Sequence, residues 1–145
     1  MWIYEGKELK EEEISSKSIG YLYKITHIPS GNFYYGRKLL TKAAYKQVNG
    51  KKKKVRKESD WKDYYSSSPT LVALVEKDGK ESFKREVLLF VETKAAFTYG
   101  EEYILYRSGA LFDQNCLNGN IRSRIQRNWF GKCPDLHNQL EAIML

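Results

Sequence analysis

Tyr21-Leu22-Tyr23-Lys24-Ile25 and Phe33-Tyr34-Tyr35-Gly36-Arg37-Lys38 are the two stretches on which the fold turns. Gly20 to Thr26 alternates in polarity and is rich in Tyr and Ile, which is a strand signature. His27-Ile28-Pro29-Ser30-Gly31-Asn32 follows as a cluster of turn formers, and Phe33 to Leu40 reads as a second strand. Together they predict an antiparallel hairpin. Alternate strand residues share a face, so Tyr34, Gly36 and Lys38 point one way and Phe33, Tyr35 and Arg37 the other. A glycine between a tyrosine and a lysine leaves bare backbone, where a ligand such as a phosphate can approach. The same pattern fits a hairpin with one face in the core, and periodicity alone favours that plainer reading.

Working outward, the lead is acidic, with Glu5, Glu8, Glu11, Glu12 and Glu13, and Glu11 to Lys17 reads as a brief helix. After the hairpin, Thr41 to Val48 reads as a short helix and Asn49-Gly50 as a turn. Lys51-Lys52-Lys53-Lys54-Val55-Arg56-Lys57 holds six basic residues in seven, so it is a solvated loop or ribbon. Ser68-Pro69 opens a helix that Gly79 closes, with Leu71, Leu74 and Val75 on one face. Phe83 to Val91 contains Val87-Leu88-Leu89-Phe90-Val91, a run suited to a buried strand. Thr93 caps a further helix to about Arg107, which Gly100 weakens by ~1 kcal/mol relative to Ala. The class is α+β: a small antiparallel sheet of three or more strands flanked by helices. One domain is expected at 19–120, with a basic insertion at about 46–58. Residues 1–18 form a short lead, and 121–145 a basic and aromatic tail packed on the same domain.

The 145 residues are 41% hydrophobic and suffice for one core without staples. No apolar run reaches the ~18 residues of a membrane span, and the start lacks a signal-peptide core. An intracellular location is expected, without a membrane partner. Cys116 and Cys133 then stay reduced. With His137 they offer three of the four ligands of a zinc site and no CxxC pair, so they read as packing or surface residues.

The net charge of +7 allows binding to nucleic acid or to an anionic membrane. Its placement favours nucleic acid. Tyr45 precedes the lysine run and Trp61, Tyr64 and Tyr65 follow it, which suits phosphate neutralisation with stacking or groove contacts. The run also lacks the apolar face of an interfacial helix. Lys51, Lys52, Lys53, Lys54, Arg56 and Lys57 are therefore candidate nucleic-acid contacts, with Arg122 and Arg124 of the tail. Glu101 shares a helix face with Ile104 and Leu105, whereas Glu102 lies further round and should be more exposed. An inward carboxylate must be paired or hold a metal; a rotated helix would leave both glutamates solvated. Neither His27 nor His137 has a partner at a catalytic spacing.

In order and spacing these motifs resemble the GIY-YIG nuclease superfamily, most of all its small stand-alone members from tailed bacteriophages. Tyr23 ends the first motif, which reads Tyr-Leu-Tyr here, and Tyr34 opens the second eleven positions later. Asp63-Tyr64-Tyr65-Ser66-Ser67-Ser68 and Phe83-Lys84-Arg85-Glu86-Val87-Leu88 resemble the middle of that domain. Glu101 resembles its metal-binding glutamate and Leu117-Asn118 its later Tyr-Asn pair. The resemblance implies hydrolysis of phosphodiester bonds in double-stranded DNA with one divalent metal, Mg²⁺ or Mn²⁺, held by Glu101. It implies that Tyr23 or Tyr34, its phenol lowered by nearby cations, takes a proton from the attacking water. Arg37 or Lys38 stabilises the phosphate charge; strand parity favours Lys38 if the strand stays regular, and a turn after Gly36 would favour Arg37. Tyr64 or Tyr65 fills a position often held by His or Tyr, and Asn118 positions the helix or a metal-bound water. The lysine ribbon gives affinity with little sequence choice. Cutting both strands then takes a homodimer or two successive events. If phage-encoded, the protein works in the cytoplasm of the host bacterium. The alternative is an inactive nucleic-acid-binding module of the same fold.

Overall fold

The computed structural model describes residues 1–122 and 124–144. Strands β1 (Trp2–Tyr4) and β2 (Lys7–Glu8) precede β3 (Gly20–His27), β4 (Phe33–Leu39), β5 (Thr41–Val48) and β6 (Lys51–Glu58). Helix α1 (Pro69–Asp78), β7 (Phe83–Val91), α2 (Lys94–Arg107), β8 (Asn120–Ile121), β9 (Ile125–Gln126) and α3 (Leu136–Met144) follow. The tyrosine hairpin forms as the alternation predicts: β3 and β4 pair antiparallel, with Tyr23 opposite Gly36 and Ile25 opposite Tyr34. The main sheet has the order β2-β1-β7-β3-β4, which leaves β4 at an edge.

The α+β class holds, and the sheet is mixed. β7 pairs antiparallel with β3, whereas β1 runs parallel to β7. The acidic lead thus adds two strands, and Trp2 is buried against Tyr21 and Tyr23. The brief helix expected from Glu11 to Lys17 is a single 3₁₀ turn, Glu11–Glu13.

One sheet face carries Tyr21, Tyr23, Ile25, Phe83 and Val87, which pack with Trp2, Trp61 and Leu71 in the larger core. The other carries Leu22, which packs with Val91 and Phe97 of α2. Each large apolar side chain buried this way contributes roughly 1.5–3 kcal/mol. Gly100 explains itself here: a Cβ on it would lie 2.5 Å from Leu22 Cδ1, so the glycine lets α2 lie close on β3. The helix ends follow the sequence. Pro69 is in the first turn of α1 and Gly79 ends it with φ +83°, while Thr93 Oγ1 accepts from Ala96 N at 3.1 Å.

Two expectations are corrected. Thr41–Val48 is not a helix but one arm of a two-stranded ribbon, paired with Lys51–Glu58 through Asn49-Gly50. Both turn residues have positive φ, 52° and 73°, as a tight hairpin turn requires. The propensity of Lys, Ala and Gln in 41–48 yields to the partner strand that this turn supplies. Second, β7 is not buried throughout: Leu88 and Leu89 are exposed. The register shifts between Leu22 and Tyr23, skipping Leu88, and such a bulge turns the following residues.

Candidate active site

The site forms where the sealed part of the β4 edge ends. Phe33 N donates to Asn115 O at 2.9 Å and Leu117 N to Phe33 O at 2.7 Å, so residues 115–117 continue the sheet. Asn118 supplies the last rung with its side chain. Its Oδ1 accepts from Tyr35 N and its Nδ2 donates to Tyr35 O, both at 2.9 Å. Asn118 thus holds strand β4, where the sequence pointed to a helix or a metal-bound water. Arg127 fastens the same segment, donating to the carbonyls of Ala110, Asp113, Cys116 and Asn118.

Arg37 and Glu101 meet on the α2 side of β4. Arg37 Nε lies 3.7 Å from Glu101 Oε1, while Nη1 donates to Thr98 Oγ1 at 2.9 Å and the guanidinium rests on the Phe97 ring. Burial holds the Glu101 carboxyl above its ordinary value, with the Arg37 charge opposing. Glu101 is therefore the inward carboxylate that the helical pattern described. Glu102 is the more exposed of the two, as expected, though only slightly: it is half-buried and faces Arg122 Nη1 at 3.5 Å.

Tyr34 and Tyr23 lie on the opposite face. Tyr34 is half-buried near the edge. Tyr23 is 2% exposed, and its ring lies over Gly36 where a Cβ would stand. The bare backbone anticipated at Gly36 is thus covered by Tyr23. Both phenols are raised, not lowered by cations as expected. Burial is the main cause; Tyr64 adds to it at both, and Glu101 at Tyr34, while the Ser66 hydroxyl opposes it.

Lys38 follows the strand parity onto the Tyr34 face. There it is spent on Asp60, with Nζ 2.6 Å from Oδ1, and on the Tyr64 ring at 4.1 Å. The Tyr64 ring meets Tyr23 edge-on. Ser66 was missed in sequence. It is buried, with φ 84°, a conformation that costs a non-glycine residue about 1–3 kcal/mol. Within Ser66-Ser67-Ser68 nothing marks it apart from a helix-capping run. Arg85 was missed too: 5% exposed, it donates to the carbonyls of Lys62 and Tyr64 and fixes the loop that carries Tyr64.

Of the remaining basic candidates, Arg122 is near the site, where its charge also acts on Glu101. Lys51, Lys52, Lys53, Lys54, Arg56 and Lys57 are exposed on the ribbon. Arg122 and Arg124 are exposed beside β8, flanking Ser123, which is outside the described residues. Cys116 is buried and Cys133 exposed, both free.

The β4 edge thus has a carboxylate and a guanidinium on one face and a tyrosine pair on the other. The family described as "Putative endonuclease segE, GIY-YIG domain" matches residues 2–121, and the chain belongs to it. No curated protein and no solved structure matches. Nucleases of the superfamily generally use a divalent metal. Among the described residues no three His, Cys, Asp or Glu side chains gather to hold one. Glu101 nevertheless fits Mg²⁺, which takes one or two carboxylates and fills its other positions with water and phosphate oxygens. Its single long ion pair leaves carboxylate oxygen available. No helix among the described residues is long and apolar enough to cross a membrane.

Proposed function

We propose that the protein is a metal-dependent endonuclease that hydrolyses DNA phosphodiester bonds at the β4 edge. The observation that carries this reading is the half-buried Glu101 beside Arg37, at the end of the sheet that bears Tyr34, in a chain of the SegE GIY-YIG family.

Glu101 holds Mg²⁺ or Mn²⁺. When bound, the metal would supply Lewis acidity toward the scissile phosphate. Arg37 binds the phosphate and stabilises the negative charge that builds on it. Thr98 and Phe97 hold the guanidinium in place, which limits the reorganisation needed as that charge develops. Tyr34 orients the attacking water by accepting its hydrogen bond. Its phenol, raised mainly by burial, is protonated at neutral pH, so Tyr34 orients the water and the proton that the water loses passes to bulk solvent. Tyr23 is too buried to reach substrate and acts by positioning Tyr34 and Ser66. Lys38 and Tyr64 brace that face, and Asn118 sets the height of β4. The lysines of the ribbon, with Arg122 and Arg124, bind backbone phosphates of double-stranded DNA.

The test is nicking of supercoiled plasmid with and without divalent metal. Expected is conversion to open circles with Mg²⁺ or Mn²⁺, and none with EDTA. Salt-dependent DNA binding with no cleavage in any divalent metal would instead identify an inactive binding module.

A further inference from the structure

The β5–β6 ribbon has two chemically different faces. Paired residues of an antiparallel ladder share a face, and successive pairs alternate. One face carries Lys42, Lys46, Lys51, Lys53 and Lys57 around the half-buried pair Ala44 and Val55. The other carries Tyr45, Gln47, Lys52 and Lys54, with Arg56 and Thr41 at its foot. Lys52 lies over the Tyr45 ring at 4.8 Å, and Arg56 donates to Thr41 O at 2.7 Å. Eight basic residues stand against one acid, Glu58, which already has Lys62 Nζ at 3.1 Å. Both arms are exposed over most of their length.

The foot of the ribbon is clamped. Ser59 Oγ donates to Leu39 O at 2.6 Å, Trp61 Nε1 to Glu58 Oε1 at 3.2 Å, and Lys38 to Asp60 at 2.6 Å. One arm leaves from β4, which carries Tyr34 and Arg37; the other returns into the loop that carries Tyr64 and Ser66. Between the two runs a cleft of about 280 Å³, lined by Arg37, Lys38, Lys42 and Ser59 among others.

We infer that the ribbon enters the major groove of duplex DNA with Tyr45, Gln47, Lys52 and Lys54 toward the base edges. This rests on DNA being the substrate. A two-stranded ribbon fits the major groove of B-form DNA. Gln pairs with adenine and Lys with guanine through their groove edges. The five lysines of the opposite face reach round to the backbone, their stems covering Ala44 and Val55. At ~3.3 Å per residue the two rungs that carry these four side chains stand about 7 Å apart, so base preference extends over roughly three to four base pairs. The ribbon therefore contributes sequence choice, beyond the affinity alone that its lysine content suggested.

The experiment is selection of bound duplexes from a randomised pool, using the full chain without divalent metal. Wild type is expected to enrich a short motif. Gln47→Ala/Lys52→Ala loses part of it, discrimination at those base pairs falling from about tenfold to parity. Lys46→Ala/Lys53→Ala keeps the motif and lowers the slope of log affinity against log salt by about two. Methylation at guanine N7 weakens binding, and duplex RNA, whose major groove is too narrow, binds less well than DNA. Absence of a motif, the same motif from all three proteins, or equal binding of duplex RNA would overturn the inference while leaving the nuclease reading intact. Failure of wild type to bind any duplex DNA would overturn both.

Discussion

At the residue scale, the tyrosines divide their labour by burial. Tyr23 fills the space over Gly36, and Tyr34 reaches the edge. Tyr34→Phe is expected to slow nicking about 10²-fold without weakening DNA binding, and Tyr23→Phe to slow it less than about tenfold. Plasmid nicking rates alongside binding isotherms check this. Gly36→Ala forces a methyl group into the Tyr23 ring and costs roughly 1–3 kcal/mol, read from urea unfolding. Glu101 gives a pH-dependent outcome. Its carboxyl is raised in the folded chain, mainly by burial, so the ionised form opposes folding at neutral pH. That cost disappears as pH falls below the ordinary value of 4.5, where the carboxyl is protonated folded or unfolded. Glu101→Gln should therefore raise Tm at pH 7.5, and the gain should vanish near pH 4. An equal gain at both pH values would contradict the placement of this carboxylate.

At the element scale, Arg127 closes the molecule. It gathers four carbonyls of the segment after α2, the segment that pairs with the β4 edge, and Arg127→Met leaves those acceptors unpaired. A loss of roughly 3 kcal/mol is expected in chemical denaturation. The elements themselves were legible in sequence to different degrees. The tyrosine hairpin and the capped ends of α1 and α2 follow from local pattern and were readable, whereas the pattern left Glu101 open between an inward and a solvated carboxylate. β5 was not: Lys42, Ala43, Ala44 and Lys46 suit a helix, and only pairing across Asn49-Gly50 makes them a strand. The bulge that exposes Leu88 and Leu89 depends on register with β3, which no stretch of β7 encodes alone. The choice between Arg37 and Lys38 was closed to parity for a similar reason. Parity placed each correctly on its face, but Asp60, distant in sequence, occupies Lys38, and Glu101 sits beside Arg37.

At the scale of the whole molecule, a cleft lined by Arg37, Phe97 and Lys42 lies between the Arg37 end of the site and the foot of the ribbon. The two faces of β4 contribute different parts: guanidinium and carboxylate from one, phenols from the other. Removing Glu101 separates cleavage from binding. Expected for Glu101→Ala with supercoiled plasmid and Mg²⁺ is a loss of nicking of at least about 10²-fold, with salt-dependent DNA affinity retained. Nicking at the wild-type rate by that variant would contradict the site proposed at the β4 edge.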